Sequence, residues 1–118
     1  METVLKKYKR FDVSLQDLKN ALGDDLYNVT DIMSEKVSAA DVVYVIKKYL
    51  SKEISLPELV QWVNVVWFTE LYEYVSKEEN SIASVMALLE TLDEGVKFTT
   101  DEYAQMIECL EKNEECNL

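Results

Sequence analysis

Four times in its 118 residues the chain sets an apolar residue, then Ser or Thr, then two residues, then a carboxylate and another apolar residue. The four are Val13-Ser14 to Asp17-Leu18, Val37-Ser38 to Asp41-Val42, Ile54-Ser55 to Glu58-Leu59, and Phe98-Thr99 to Glu102-Tyr103. In such a box the hydroxyl accepts from a free N–H of the first helical turn, and the carboxylate reaches back to the cap N–H. The flanking apolar residues form a hydrophobic staple, and the carboxylate sits at the positive end of the helix dipole. Ser14, Ser38, Ser55 and Thr99 are therefore four predicted helix N-caps.

Two of these boxes belong to a longer echo. Lys6, Lys7, Tyr8, Ser14, Leu15 and Leu18 recur 41 residues later as Lys47, Lys48, Tyr49, Ser55, Leu56 and Leu59. Asp12, Val13 and Asp17 become Glu53, Ile54 and Glu58. A solenoid of helix pairs needs three or more copies, and this chain is too short for them. Repeated helix starts are the simpler reading, with a tandem duplication as the alternative.

With two Gly and one Pro in the whole chain, tight hairpin turns are scarce, which favours helices joined by short loops over a β-sandwich. The expected fold is all-α, one domain over residues 1–118, a bundle of about five to seven helices with a frayed tail from about residue 113. Periodicity predicts helices over 2–10, 15–22 with Gly23 as its stop, 39–51, 56–75, 77–94 and 100–113. Residues 24–36 read as a short helix within a loop. The 56–75 helix is apolar around most of its circumference and is expected to be the central element. Its buried arc is expected to hold Leu56, Leu59, Val60, Val63, Trp67 and Leu71.

The chain offers little for catalysis. It has no histidine, and Gly23 and Gly95 stand apart, so neither a His-based acid, base or metal set nor a phosphate loop is present. Asp24 and Asp25 lack the alternating ligands of a calcium loop. Glu70 and Glu73, spaced i, i+3 on the predicted helix, read as a solvated acidic face. Cys109 has no recognisable activating base, and the two cysteines, if on one helix, stand about 10.5 Å apart along it, too far for a disulfide. Both are expected to be reduced thiols of a cytoplasmic protein. No enzyme activity and no cofactor are expected. No apolar run approaches the about 20 residues a membrane span requires.

Charge is the strongest functional signal. The net charge is −11, yet residues 1–52 hold eight acids and nine bases, while residues 53–118 hold fifteen acids and three bases. Such a surface repels nucleic acid and anionic membrane and speeds encounter with a basic protein. The expected contact residues are an aromatic ridge with acidic rim, Glu58, Trp62, Tyr72 and Glu73, joined by a stripe of Asp101, Glu108, Glu111 and Glu115 on the last helix.

In size, charge and helical character the whole chain, with its stretch YLSKEISLPELVQW, resembles immunity proteins of colicin and contact-dependent growth inhibition systems. That resemblance implies a non-catalytic inhibitor that neutralises a basic toxin such as a nuclease, acting as a monomer or small homo-oligomer. Alternatives are a structural or adaptor module, or a phage-encoded inhibitor that mimics nucleic acid with its carboxylates. Direct nucleic-acid binding through the basic stretch KKYKR is disfavoured by charge.

Overall fold

The computed structural model describes residues 4–26, 34–69 and 71–118. All four boxes start helices there, each with both reciprocal hydrogen bonds: α2 (Leu15–Leu22), α3 (Ala39–Leu50), α4 (Leu56–Phe68) and α6 (Thr100–Lys112). A staple is visible as ring packing, with Phe98 and Tyr103 edge to face at 5.7 Å. Pro57 lies in the first turn of α4, where its missing N–H costs nothing.

The 41-residue echo is one corner built twice. The turn after α1 (Val4–Tyr8) passes through Phe11 and the turn after α3 through Lys52, with left-handed φ of 55° and 67°. In the first corner, Asp12 N–H reaches back to Lys7 O at 2.8 Å and Phe11 N–H to Tyr8 O at 2.8 Å. In the second, Glu53 N–H bonds Lys48 O at 2.9 Å and Lys52 N–H bonds Tyr49 O at 3.1 Å. This paired i−5 and i−3 pattern is a Schellman turn, and a capping box follows it each time. Two further helical ends, at Gly95 and Asn113, repeat the turn. Three of the four therefore place a non-glycine residue in the left-handed region, which is why few glycines sufficed.

The helix expected over 56–75 stops at Phe68. Thr69 is extended (φ −101°, ψ 166°), and its hydroxyl donates to Val65 O at 2.5 Å while accepting from Leu71 N–H at 3.3 Å. The chain then forms β2 (Tyr72–Tyr74), which pairs in parallel with β1 (Glu35–Val37), Glu35 opposite Tyr72 and Val37 opposite Tyr74. The short helix expected over 24–36 is therefore wrong at its end, where β1 lies; residues 27–33 are outside the described residues. From Ser76 the chain is helical again, with α5 (Glu79–Glu90) flanked by single turns of tighter helix and stopped by Gly95 at φ 93°.

Six α-helices are present among the described residues, and the fold is all-α with one small two-stranded sheet. α3 packs on α6, α4 on α5, and α5 on α6. The radius of gyration is 13.6 Å, close to the about 13.5 Å expected of one compact domain of this length. α5, which packs on α3, α4 and α6, is more central than α4, and α4 is turned from the expected arc: Leu59, Trp62, Val63 and Val66 point inward, while Leu56 is 37% exposed.

The end of α6 and the tail are held to α5 and the turn before it at two points. Asn113 donates from Nδ2 to Lys77 O at 2.9 Å and accepts from Ser81 Oγ at 3.0 Å. Cys116 N–H donates to Ser84 Oγ at 2.8 Å, and Cys116 is buried. α6 ends between the two cysteines, as the helix expected over 100–113 has it.

Candidate partner-binding surfaces

The two matching corners lie side by side. Lys48 Nζ donates to Phe11 O at 3.0 Å and to Asp12 Oδ1 at 2.9 Å, clamping the second corner to the first. Two hollows open around them, of about 560 and 400 Å³, and Glu53, Ile54 and Glu58 line both. The larger has an aromatic floor. Tyr103 stands between Tyr49 at 5.4 Å and Phe98 at 5.7 Å, measured between ring centroids. Burial, then the charge and hydrogen bond of Tyr49, push the Tyr103 hydroxyl well above the usual phenol range.

The rim is acidic, and the echo explains why. Asp12 and Glu53 hold equivalent places after the two helix ends, and Asp17 and Glu58 hold equivalent places in the two capping boxes. Lys48 neutralises Asp12, and Lys52 also lines the larger hollow. Each capping carboxylate spends one oxygen on its cap N–H and keeps acceptor capacity, since an ionised carboxylate has about four acceptor sites. The groove thus combines a hydrophobic floor with a carboxylate rim.

The residues expected to contact a partner separate into two groups. Glu58 lines the groove, and Asp101 is exposed in the first turn of α6 beside Thr100, another lining residue. Glu108 and Glu111 are exposed farther along α6. Lys112 bonds Glu108 at 2.6 Å and holds its carboxyl below the usual range. Glu111 lines a third hollow, between α3 and α6, with Tyr44, Lys47 and Glu78. Glu115 lies beyond the end of the helix.

Trp62 is not at the surface, and Tyr72 reaches it only at the edge of a hollow it lines with Glu73. Trp62 is fully buried, and Tyr72 is 6% exposed with its hydroxyl donating to Leu5 O at 2.7 Å. Burial raises the Tyr72 pKa first, and the neighbouring Tyr8, Glu35 and Asp41 raise it further. Glu73 is exposed on β2 rather than on a helix, and Glu70 is outside the described residues. The aromatic residues beside Glu73 are Tyr72, at the edge of the hollow, with Trp67, Phe68 and Tyr74 rather than Trp62. Trp67 stacks on Tyr74 at 5.9 Å and meets Phe68 edge-on at 6.5 Å, and Phe68 is 53% exposed.

Sequence reasoning missed the groove. Its floor comes from Tyr49 on α3 and from Phe98 and Tyr103 at the start of α6, which spacing alone assigns to the core or to a helix staple. The signal was the echo itself, because two equal corners place two equal pairs of acids.

Beside the first corner, Tyr44 lies under Arg10 at 5.2 Å and Lys48 at 4.9 Å. The described surface therefore carries a basic area near the end of α1 and an acidic area along α6. No group of three or more metal-ligating side chains occurs among the described residues. No helix of the described residues is long and apolar enough to cross a membrane. No protein-family model, no curated protein and no solved structure matches this chain.

Proposed function

We propose that this chain is a non-catalytic inhibitor that binds a basic protein partner, in the manner of an immunity protein neutralising a toxin domain such as a nuclease. The observation that carries the reading is the groove between the two corners. Its larger hollow offers Tyr49, Phe98 and Tyr103 as an aromatic floor rimmed by Glu53 and Glu58, and those two glutamates also line the neighbouring hollow with Asp12 and Asp17. Aromatic anchors ringed by charge are the usual anatomy of a protein-binding hot spot. Here the rim would take lysine or arginine side chains, and the −12 carried by residues 53–118 would steer the encounter.

The test is affinity capture from the source cell with the tagged chain, washed at low and then high salt. The expected result is one basic protein at equal stoichiometry, weakened by salt. Glu53→Lys with Asp101→Lys should weaken that capture by about tenfold or more, chiefly through the association rate. Unchanged capture by the double variant would sink the groove as the contact surface. Glu58 is unsuitable for this test, because it also caps α4.

A second reading, a structural or adaptor module, is favoured by the Trp67, Phe68 and Tyr74 ridge beside β2. Capture of only the chain itself, or of a salt-resistant assembly lost on Phe68→Ser, would replace the inhibitor reading with this one.

A further inference from the structure

The echo carries through from the sequence to the two hollows. Phe11, Asp12, Val13, Ser14 and Asp17 line the smaller one, and their counterparts 41 residues on, Lys52 to Ser55 and Glu58, line the larger. The backbone beneath them repeats too. Each corner sets a left-handed residue, Phe11 at φ 55° or Lys52 at φ 67°, directly before its acid, Asp12 or Glu53.

The first corner shows what such a site holds. Lys48 Nζ donates to Phe11 O at 3.0 Å and to Asp12 Oδ1 at 2.9 Å, and it lies 4.9 Å from the centroid of the Tyr44 ring. A backbone carbonyl, a carboxylate and an aromatic ring thus surround one ammonium group, on a side chain that is only 16% exposed. In the second corner the equivalent acceptors are Lys52 O and the Glu53 carboxylate, and the rings of the same hollow are Tyr49, Phe98 and Tyr103. Among the described residues no lysine or arginine side chain bonds either acceptor. Glu53 is exposed and keeps the charge of Asp12 with one more methylene of reach.

We propose that the second corner is a subsite for one lysine side chain of the partner, held as the first corner holds Lys48. The ammonium donates to Lys52 O and to Glu53, and the methylene stem lies along Tyr49 and Phe98. This rests on the reading of the groove as a partner surface and adds which side chain enters it. Lysine fits better than arginine because its ammonium is a compact charge with three donors, free to meet a carbonyl and a carboxylate at once. A guanidinium is a flat fork matched to the two oxygens of one carboxylate.

The experiment titrates the full, isotope-labelled chain with Nα-acetyl-lysine methylamide and follows its backbone amide resonances. Nα-acetyl-norleucine methylamide, which has the same stem without the ammonium, is the comparison. The lysine probe is expected to shift Glu53, Ile54 and Ser55 saturably in the millimolar range, as suits so small a ligand. The norleucine probe should bind about tenfold more weakly, and so should the lysine probe to Glu53→Gln, a change at an exposed position. Lys48→Met frees the first corner and should add a second set of shifts at Asp12 and Val13. Equal binding of the two probes would overturn the subsite, as would shifts that avoid the second corner or survive Glu53→Gln undiminished. A folded Lys48→Met chain without the second set would overturn it too, since the first corner is the template. These outcomes are separate from affinity capture. A captured partner with no probe binding at Glu53 keeps the inhibitor reading and removes the subsite, while probe binding with no captured partner does the reverse.

Discussion

Arg10 donates from Nε to Asp41 Oδ1 at 2.6 Å across 31 residues of sequence. It ties the end of α1 to the first turn of α3. Asp41 Oδ2 accepts from Ser38 N–H at 2.9 Å and lies 3.3 Å from Lys9 Nζ. Of the four capping carboxylates only Asp41 is fully buried, 1% exposed. A local helix-start device here doubles as a tertiary joint, because both oxygens are used at once.

Asp41→Asn keeps the shape and removes the charge that Arg10 and Lys9 face. The variant should lose about 2 kcal/mol, the usual worth of a buried hydrogen bond to a charged group. Arg10→Ala should cost less than about 1 kcal/mol, because the Arg10 side chain is 42% exposed and water screens the pair. Urea denaturation of the two variants checks the order. Equal losses would show that the joint does not depend on the carboxylate.

The same carboxylate sets a pH dependence. Burial alone would raise the Asp41 pKa, but the Ser38 N–H, the Arg10 guanidinium and the Lys9 charge together hold it below its ordinary value. A carboxyl whose folded pKa is depressed adds stability that is complete above its unfolded pKa of about 3.9 and is lost as pH falls through the folded value. The stability gap between wild type and Asp41→Asn should therefore be constant above pH about 5 and shrink below pH about 4. Denaturation series across that window measure it. A gap that widens on acidification would mean that folding raises the Asp41 pKa instead of lowering it.

Lys52 holds φ at 67° in the second corner. A side chain in the left-handed region costs roughly 1 kcal/mol that glycine does not incur. Lys52→Gly should therefore stabilise by about 0.5 kcal/mol, after allowing for the greater freedom of glycine in the unfolded chain. The matching change at Phe11 should destabilise, because Phe11 packs on Tyr8 at 5.5 Å. Opposite signs at two equivalent positions would separate backbone strain from side-chain packing.

The helix starts were legible because a capping box is local: six residues contain the whole device. Helix 77–94 was legible for a similar reason, and Ile82, Val85, Met86, Leu89 and Leu92 are all buried as their spacing required. Tyr72 to Tyr74 was not legible. Its aromatic residues continue the apolar pattern of α4, and only pairing with residues 35–37 makes them a strand. Trp62 was misplaced because α4 is apolar on most sides, so periodicity alone could not say which side met the core. The acids of the groove were visible one by one, but their convergence depends on how Lys48 clamps two corners that lie far apart in sequence.

Trp62 offers a direct check of that rotation. It is fully buried, and among the described residues its Nε1 has no hydrogen-bond partner. Trp62→Phe should then cost only the lost volume, about 1.5 kcal/mol, while Trp62→Ala should cost about 3–5 kcal/mol. Phe68→Ser, at an exposed position, should change stability by less than about 0.5 kcal/mol. Thermal or urea unfolding of the three variants reads this directly. A tolerated Trp62→Ala would return Trp62 to the surface.

The tail tests whether side-chain bonds or backbone geometry hold the end of α6. Asn113 does both jobs: it sits at φ 55° and bonds Lys77 and Ser81 through its side chain. Asn113→Gly removes the bonds and keeps an easy left-handed turn, so it should cost about 1 kcal/mol. Asn113→Ala removes the bonds and adds strain, and should cost roughly a further 1 kcal/mol. Since the turn places Cys116 N–H on Ser84, amide exchange at Cys116 should quicken more in the alanine variant than in the glycine variant. Equal exchange in both would mean that the Ser84 bond, rather than the Asn113 turn, positions the tail.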